Sequence, residues 1–166
     1  MITPQDVASS DGITDLRLSR DGSRVVYTSG PLYKTGNNRT SALWLAETTI
    51  ENSARKITTG DSHDYAPSFH PKASQIFFLS DRHEVGGAIQ LYTLSFDATS
   101  FTEANRITHS RYPVLSYSIS PDGNFVAFTL KSSSSEQNDK EPISVWRENL
   151  GFDALHFIDL RDSSKT

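Results

Sequence analysis

The sequence contains no cysteine and no long apolar segment, and each absence excludes a class of protein. Without cysteine, the chain can form neither a disulfide framework nor a thiolate metal site. No apolar run approaches the length that spans a bilayer, and residues 1–10 lack the basic and apolar segments of a secretion signal. We therefore expect a cytoplasmic protein that makes no membrane contact.

Positive charge is also scarce. The chain has 16 Lys and Arg residues against 20 Asp and Glu, which gives a formal net charge of -4. A surface that binds nucleic acid needs clustered Lys and Arg to neutralise phosphates, so we expect no nucleic-acid partner. With 36% hydrophobic and 22% charged residues, the composition is that of a globular chain. At 166 residues it could be one domain or part of a larger one.

One short pattern occurs three times, at residues 16–28, 67–79 and 117–129. Superposing the turns aligns Leu18 with Phe69 and Ile119, Val25 with Ile76 and Val126, and Tyr27 with Phe78 and Phe128. Alternating apolar residues indicate strands with one face in a core, and Asp-Gly between two such runs indicates a tight hairpin. Each copy is therefore predicted to be a strand, a turn and a strand. The second copy has Lys72 and Ala73 in its turn, and its His70 replaces the Ser of the other two.

Further strands complete each unit. Third strands are predicted at residues 42–47, 89–96 and 155–160, and fourth strands at 55–59 and 105–109, which share an Ile-Thr pair. Four short strands about every fifty residues are typical of propeller blades. We predict an all-β partial β-propeller of about three four-stranded antiparallel blades, with the last incomplete. The blades are expected at about 13–60, 61–110 and 111–166, after a lead-in at 1–12 that begins with a short turn or helix.

Two segments interrupt the third unit. Residues 131–142 are a serine run followed by mixed charge, with nothing apolar to bury, so we expect a solvated loop. Residues 143–152 are compatible with either a short helix or an added strand.

The repeat carries a family resemblance. Residues 120–123, Ser-Pro-Asp-Gly, followed by Val126, Ala127 and Phe128, resemble the repeat of TolB-like propellers. With residues 78–82, Phe-Leu-Ser-Asp-Arg, the Ile-Thr endings and the strand at 90–94, the chain is similar to the N-terminal propeller of the prolyl oligopeptidase family of serine peptidases. Acylaminoacyl peptidases and dipeptidyl-peptidase V are the most similar members. Residues 145–148 do not match the corresponding dipeptidyl-peptidase V segment, so the subgroup stays open.

The resemblance implies a seven-bladed propeller that caps a C-terminal α/β-hydrolase domain with a Ser, Asp and His triad, a domain absent from these residues. The propeller would restrict substrate access to that domain by size. Its implied partners are the hydrolase domain and a peptide substrate. The alternative is a non-catalytic TolB-like propeller that binds a protein or another ligand.

A serine hydrolase carries its nucleophile on a G-x-S-x-G turn between a strand and a helix. The nearest match is Gly-Asp-Ser-His-Asp at residues 60–64, which lacks the last glycine and lies between two predicted strands. A polar turn between strands explains it better than a nucleophile at Ser62 does. We therefore predict no catalytic residue in this chain.

Scattered polar and aromatic residues have similarly simple explanations. The two sets that could be imagined as metal ligands are His63, Asp64 and His70, and Asp81, His83 and Glu84. Neither set has the spacing of a zinc helix or the acidic series of a calcium loop, so we expect no metal and no cofactor. The aromatic residues that recur on the third strands are Trp44, Tyr92 and Phe157. Packing between blades accounts for them better than a binding platform does.

Chain topology predicts where contacts with a partner would form. In an up-and-down blade, the connections between second and third strands share one end with the connections between blades. The long loops at 29–41, 80–88 and 131–154 all connect a second strand to a third strand. The candidate contact residues at that end are Asp64, Tyr65, Arg82, Arg111 and Tyr112.

Three blades would leave two flanks without a neighbour. At about 25 cal/mol per Å², a few hundred Å² of exposed apolar surface forfeits on the order of 10 kcal/mol per flank, comparable with the stability of a whole domain. We therefore expect the isolated chain to self-associate.

Overall fold

In the computed structural model, residues 10–32, 38–97, 100–131 and 153–161 are described, and every regular element within them is a strand. The strands are β1 (Asp11–Leu18), β2 (Arg24–Pro31), β3 (Ala42–Glu47), β4 (Arg55–Lys56), β5 (Tyr65–Phe69), β6 (Gln75–Ser80), β7 (Gln90–Ser95), β8 (Asn105–Arg106), β9 (Val114–Ile119), β10 (Phe125–Leu130) and β11 (Ala154–Asp159). They form a first sheet β1-β2-β3-β4, a second sheet β5-β6-β7-β8 and a third sheet β9-β10-β11, each antiparallel. The predicted all-β fold of a partial propeller is confirmed.

The three sheets repeat one register. The last residue of each first strand pairs with the second residue of the next strand: Leu18 with Val25, Phe69 with Ile76, and Ile119 with Val126. The predicted equivalence of Leu18, Phe69 and Ile119 is therefore confirmed.

The first and third hairpins close in the same way. In the first, Gly22 adopts a φ of 72° and donates its N–H to the carbonyl of Ser19 at 2.9 Å. The carboxylate of Asp21 accepts hydrogen bonds from the hydroxyls of Ser19 and Ser23, which lower its pKa to about 2. Gly123, at the equivalent place in the third hairpin, has a φ of 74°. Glycine reaches this left-handed region without the steric cost that a Cβ imposes.

His70 stabilises the second hairpin, whose turn has no glycine. Its Nδ1 accepts the backbone N–H groups of Lys72 at 3.1 Å and Ala73 at 2.8 Å. Because Nδ1 is an acceptor, the ring proton is on Nε2, which donates to the carbonyl of Gly123 at 2.9 Å. His70 therefore stands at the position of the turn serine but makes different bonds, since the Ser19 and Ser120 hydroxyls accept the N–H five residues on; it also ties the second turn to the third.

The central strand β6 belongs to two cores at once. Four consecutive residues, Ile76 to Leu79, are at most 2% exposed. Ile76 and Phe78 pack with Val26 and its neighbours of the first sheet, whereas Phe77 and Leu79 pack with Val126 and its neighbours of the third. Sheets covered on both faces produce such unbroken apolar runs.

A recurring irregularity bends the first strands. Asp15 and Ala66, at equivalent positions, have φ values of 52° and 50°, and the register shifts at these points in β1 and β5. Tyr117 of β9 closes over the second bulge, because its hydroxyl donates to the carbonyls of Ala66 at 2.7 Å and Phe77 at 2.9 Å. Burial raises the pKa of Tyr117, so the hydroxyl stays protonated and available as a donor.

Several predicted boundaries differ from the structure. β1 begins at Asp11 and β2 ends at Pro31, so the first hairpin extends into the predicted lead-in and loop. The fourth strands are shorter than predicted, because Thr58 and Thr108 accept the N–H of Leu43 and Leu91 through their side chains, which replaces a ladder carbonyl. The predicted features at residues 1–9 and 132–152 lie outside the described residues.

Phe157 lies on a third strand, as predicted, but it does not pack between sheets as predicted. Trp44 pairs with Tyr27 and Tyr92 with Phe78, but the residue opposite Phe128 is His156. All three pairs stack face to face, with ring centroids 6.5, 5.9 and 5.4 Å apart. His156 therefore occupies the aromatic position of the third sheet, and Phe157 points to the opposite face, where it is 66% exposed.

The outer faces of the first and third sheets carry exposed apolar side chains within the described residues. On the first sheet these include Ile13, Leu16 and Leu18, and Leu18 shares its face with the half-buried Val25. On the third they include Leu155 and Phe157.

Candidate functional site

Polar connections meet at one end of the strands, which we call the rim. Within the described residues, it comprises the parts of the connections between second and third strands, and those between sheets, that adjoin the strand ends. Ser41 forms an isolated bridge with His63, and the N–H of Lys131 donates to the carbonyl of Pro113 at 3.1 Å. The topology predicted this grouping.

Asp64 is the centre of the rim between the first and second sheets, and its side chain is fully buried. Its Oδ1 accepts hydrogen bonds from the hydroxyls of Ser80 at 2.6 Å and Ser62 at 3.2 Å. Its Oδ2 accepts from Nη2 of Arg82 at 2.9 Å. A buried carboxylate with three donors is compensated in charge and in hydrogen bonding.

Arg82 extends this cluster to the surface. Its guanidinium lies 4.8 Å from the ring centroid of Phe78 and 5.3 Å from that of Tyr92, and its side chain remains 25% exposed. The preceding residue, Asp81, accepts the backbone N–H groups of His63 and Gly86, each at 2.8 Å. The connections around residues 62–65 and 80–87 are therefore locked together, and one cation is presented at their edge.

His63 lies beside this cluster in a fixed orientation. Its ring stacks on Tyr65 at 4.4 Å, and Nδ1 is 2.8 Å from Oγ of Ser41. The Ser41 hydroxyl donates to the carbonyl of Asp64 at 2.6 Å, so Nδ1 of His63 is the donor to Ser41. Burial, reinforced by the charge of Arg39, lowers the pKa of His63, which is therefore neutral near pH 7.

Gln90 organises the rim between the second and third sheets. Its Oε1 accepts from the Thr108 hydroxyl at 2.9 Å and the Ser110 N–H at 3.0 Å. Its Nε2 donates to the carbonyls of Ser110 at 2.8 Å and Tyr112 at 3.3 Å. This buried amide holds the connection that presents Arg111, whose Nη2 donates to the Tyr112 hydroxyl at 2.5 Å.

The predicted contact residues thus fall at two neighbouring places. Asp64, Tyr65 and Arg82 lie together between the first and second sheets, whereas Arg111 and Tyr112 lie at the next junction. Asp64 is buried, so it acts by holding Arg82. The supporting residues Ser41 and Gln90 were not predicted, because neither stands in a repeat motif and each acts on a segment about twenty residues away.

Ser62 does not have the environment of a nucleophile. It is 4% exposed, and its hydroxyl donates to the carboxylate of Asp64. Within the described ranges, no three of His, Cys, Asp or Glu lie close enough to hold a metal ion. The same part of the chain has no helix long and apolar enough to cross a membrane.

Solved structures share this fold. An acylaminoacyl peptidase of Pyrococcus horikoshii matches with a TM-score of 0.63 and 14% identity, over 90% of this chain and 23% of its own length. A puromycin-hydrolyzing peptidase of Mycobacterium tuberculosis matches with a TM-score of 0.54 and 12% identity, over 83% of this chain and 23% of its own length. A TolB protein of Agrobacterium tumefaciens matches with a TM-score of 0.52 and 16% identity, over 89% of this chain and 62% of its own length.

No protein-family model and no curated protein matches the sequence. The chain spans less than a quarter of the length of either peptidase, and the identities are too low to carry more than fold. The chain has the fold of part of a β-propeller, similar to the propellers of peptidases and of TolB.

Proposed function

We propose that this chain is part of the propeller of a serine-type peptidase and that its rim faces the hydrolase domain. The observation that carries the proposal is the match of 90% of the chain to an acylaminoacyl peptidase with a TM-score of 0.63. In such an arrangement, the propeller restricts the size of substrates that reach a buried catalytic triad. The peptidase would belong to one of two subgroups, the dipeptidyl-peptidases V or the acylaminoacyl peptidases.

The rim suits a contact with a second domain for a physical reason. Arg82 and Arg111 are presented at adjacent junctions, and each is held in place over an aromatic ring. A side chain that is already ordered loses less entropy when a partner binds it. Charged groups of this kind mainly set orientation and association rate.

The test starts from the native protein, isolated with an antibody raised against this chain and treated with a fluorophosphonate probe, which labels active serine hydrolases covalently. We expect the label on the polypeptide that carries this sequence. The 166-residue chain alone should stay unlabelled and should hydrolyse no peptide or acyl-amino-acid substrate. An unlabelled native polypeptide would contradict the proposal, as would Ser62-dependent turnover by the isolated chain.

The alternative is a non-catalytic binding propeller. It is favoured by the match to TolB, because this chain covers 62% of that protein against 23% of the peptidases. In that case, the native protein would remain unlabelled. Arg111→Glu would weaken binding of its protein partner.

A further inference from the structure

A cavity of about 450 Å³ opens between the first and second sheets at the rim. The paired glycines Gly12 and Gly30 line it, and neighbouring protein atoms approach both backbones more closely than a Cβ would allow. His63 and Tyr65 form an aromatic wall on one side. The volume lies within the usual range for sites that bind small molecules.

Opposite charges line this cavity. Asp15 lies at its edge with a left-handed φ of 52°, and its Oδ2 accepts the N–H of Ala66 at 3.3 Å. Arg39 lines the cavity as well. His63 lines the same cavity, so the carboxylate of Asp15, the guanidinium of Arg39 and this imidazole border one space.

Two neutral polar groups lie at the cavity. Since Nδ1 of His63 carries the proton that binds Ser41, its Nε2 is an acceptor. Thr28 forms part of the wall, and its Oγ1 is buried without a hydrogen-bond partner among the described residues. Buried hydroxyls in native proteins are nearly always paired, so the Thr28 hydroxyl is unusual, but only Nε2 of His63 is assigned as an acceptor for a ligand.

A site with one carboxylate, one guanidinium and an aromatic wall matches a ligand that carries both charges at a short separation. Charge-assisted hydrogen bonds to an ammonium and to a carboxylate are stronger than neutral ones. A metal ion would be repelled by Arg39, and a simple anion would be repelled by Asp15. We propose that this cavity binds a zwitterion of dipeptide size, with its ammonium at Asp15 and its carboxylate at Arg39. The proposal does not depend on whether the chain belongs to a peptidase or to a binding propeller.

The experiment uses the 166-residue chain and four forms of one dipeptide, glycylleucine: unmodified, N-acetylated, C-amidated and blocked at both ends. Binding is followed by isothermal titration calorimetry at low ionic strength. We expect saturable binding of the unmodified form, and about tenfold or greater weakening when either end is blocked. Equal binding of all four forms, or no saturable binding of the unmodified one, would overturn the proposal.

Variants separate the two charges. Arg39→Gln should abolish the preference for the acid over the amide and keep the preference for the free amine. Asp15→Asn should do the reverse, and it keeps an oxygen that can accept from Ala66. The control changes Arg20→Gln and Asp61→Asn affect exposed residues outside the cavity and should preserve both preferences. If Asp15→Asn proves unfolded by circular dichroism, the Arg39→Gln preferences decide the matter alone: an acid preference unchanged by that variant would refute the site.

Discussion

Asp64 and Val114 occupy the same position in successive sheets, yet one is a fully buried carboxylate and the other a fully buried isopropyl group. Val114 pairs with Leu130. Asp64 accepts a hydrogen bond from the hydroxyl of Ser80, the residue equivalent to Leu130. The same place in the fold therefore accepts either an apolar contact or a buried ion pair.

This equivalence predicts how the polar cluster responds to mutation. Arg82→Met should lower the free energy of unfolding by about 3 kcal/mol, because it leaves the buried charge of Asp64 uncompensated. Adding Asp64→Val and Ser80→Leu, the residues used in the third sheet, should restore most of that loss. Urea unfolding of the three proteins measures this. A triple variant less stable than Arg82→Met would show that the ion pair is required for folding.

The turn glycines provide a matched pair. Gly22→Ala should cost about 1 kcal/mol, since its φ of 72° is strained for alanine but the added methyl group would meet nothing within 4 Å. Gly123→Ala should cost clearly more, because its Cβ would lie 2.4 Å from Cε1 of His70 and would displace the ring that holds the second turn. Equal losses of unfolding free energy in the two variants would mean that displacing the His70 ring does not destabilise the second turn.

His63 should make stability fall on acidification. Its pKa is lowered in the folded chain, so between the ordinary value of 6.5 and that lowered value the unfolded chain takes up a proton that the folded chain does not. Its contribution is present above pH 6.5 and is lost as the pH falls through this window. His63→Asn has an amide that can still donate to Ser41. In this variant the urea midpoint should fall less between pH 7 and pH 5 than in the unmodified chain. An equal fall in both proteins would assign the pH dependence to other groups.

The isolated chain should self-associate through the outer faces of its first and third sheets. Leu18 is 59% and Phe157 66% exposed, so Leu18→Lys or Phe157→Lys should shift the sedimentation profile toward monomer and reduce binding of a hydrophobic dye. Val85→Lys is the control, because Val85 is also exposed but lies in a rim connection. A dye-silent monomer with a sharp two-state melt would contradict the prediction.

Tyr117 should contribute to the contact between the second and third sheets. Tyr117→Phe removes the donor shared by the carbonyls of Ala66 and Phe77, and should cost about 1 to 3 kcal/mol. Hydrogen exchange would then accelerate at the junction of β5 and β9 more than in the first sheet. Uniform acceleration across all three sheets would instead indicate global destabilisation.

Local chemistry explains which parts of the fold could be predicted from sequence. The hairpins were predictable because Asp-Gly turns and alternating apolar residues act within a few residues of each other. The register of β11 was not, because the preceding segment interrupts the repeat, and two neighbouring ring side chains, His156 and Phe157, could each have taken the aromatic position. The bulges at Asp15 and Ala66 have no sequence signature, since neither residue favours a left-handed backbone as glycine does.

The site shows the same limit. The candidate contact residues were found from chain topology, but the bonds of Ser41 and Gln90 join segments that are distant in sequence. Only the folded chain brings Asp15, Arg39 and His63 around one cavity.

The double-sided burial of β6 has a consequence for how the chain tolerates change in length. Inserting or deleting one residue before Ile76 would exchange the residues that face the first and third sheets, disrupting both cores with a single event. The connection at residues 81–88 lies beyond that strand and can lengthen without shifting either core. Length variation among proteins of this fold should therefore accumulate in the rim connections, the part of the surface where a new binding specificity can arise without cost to the sheets.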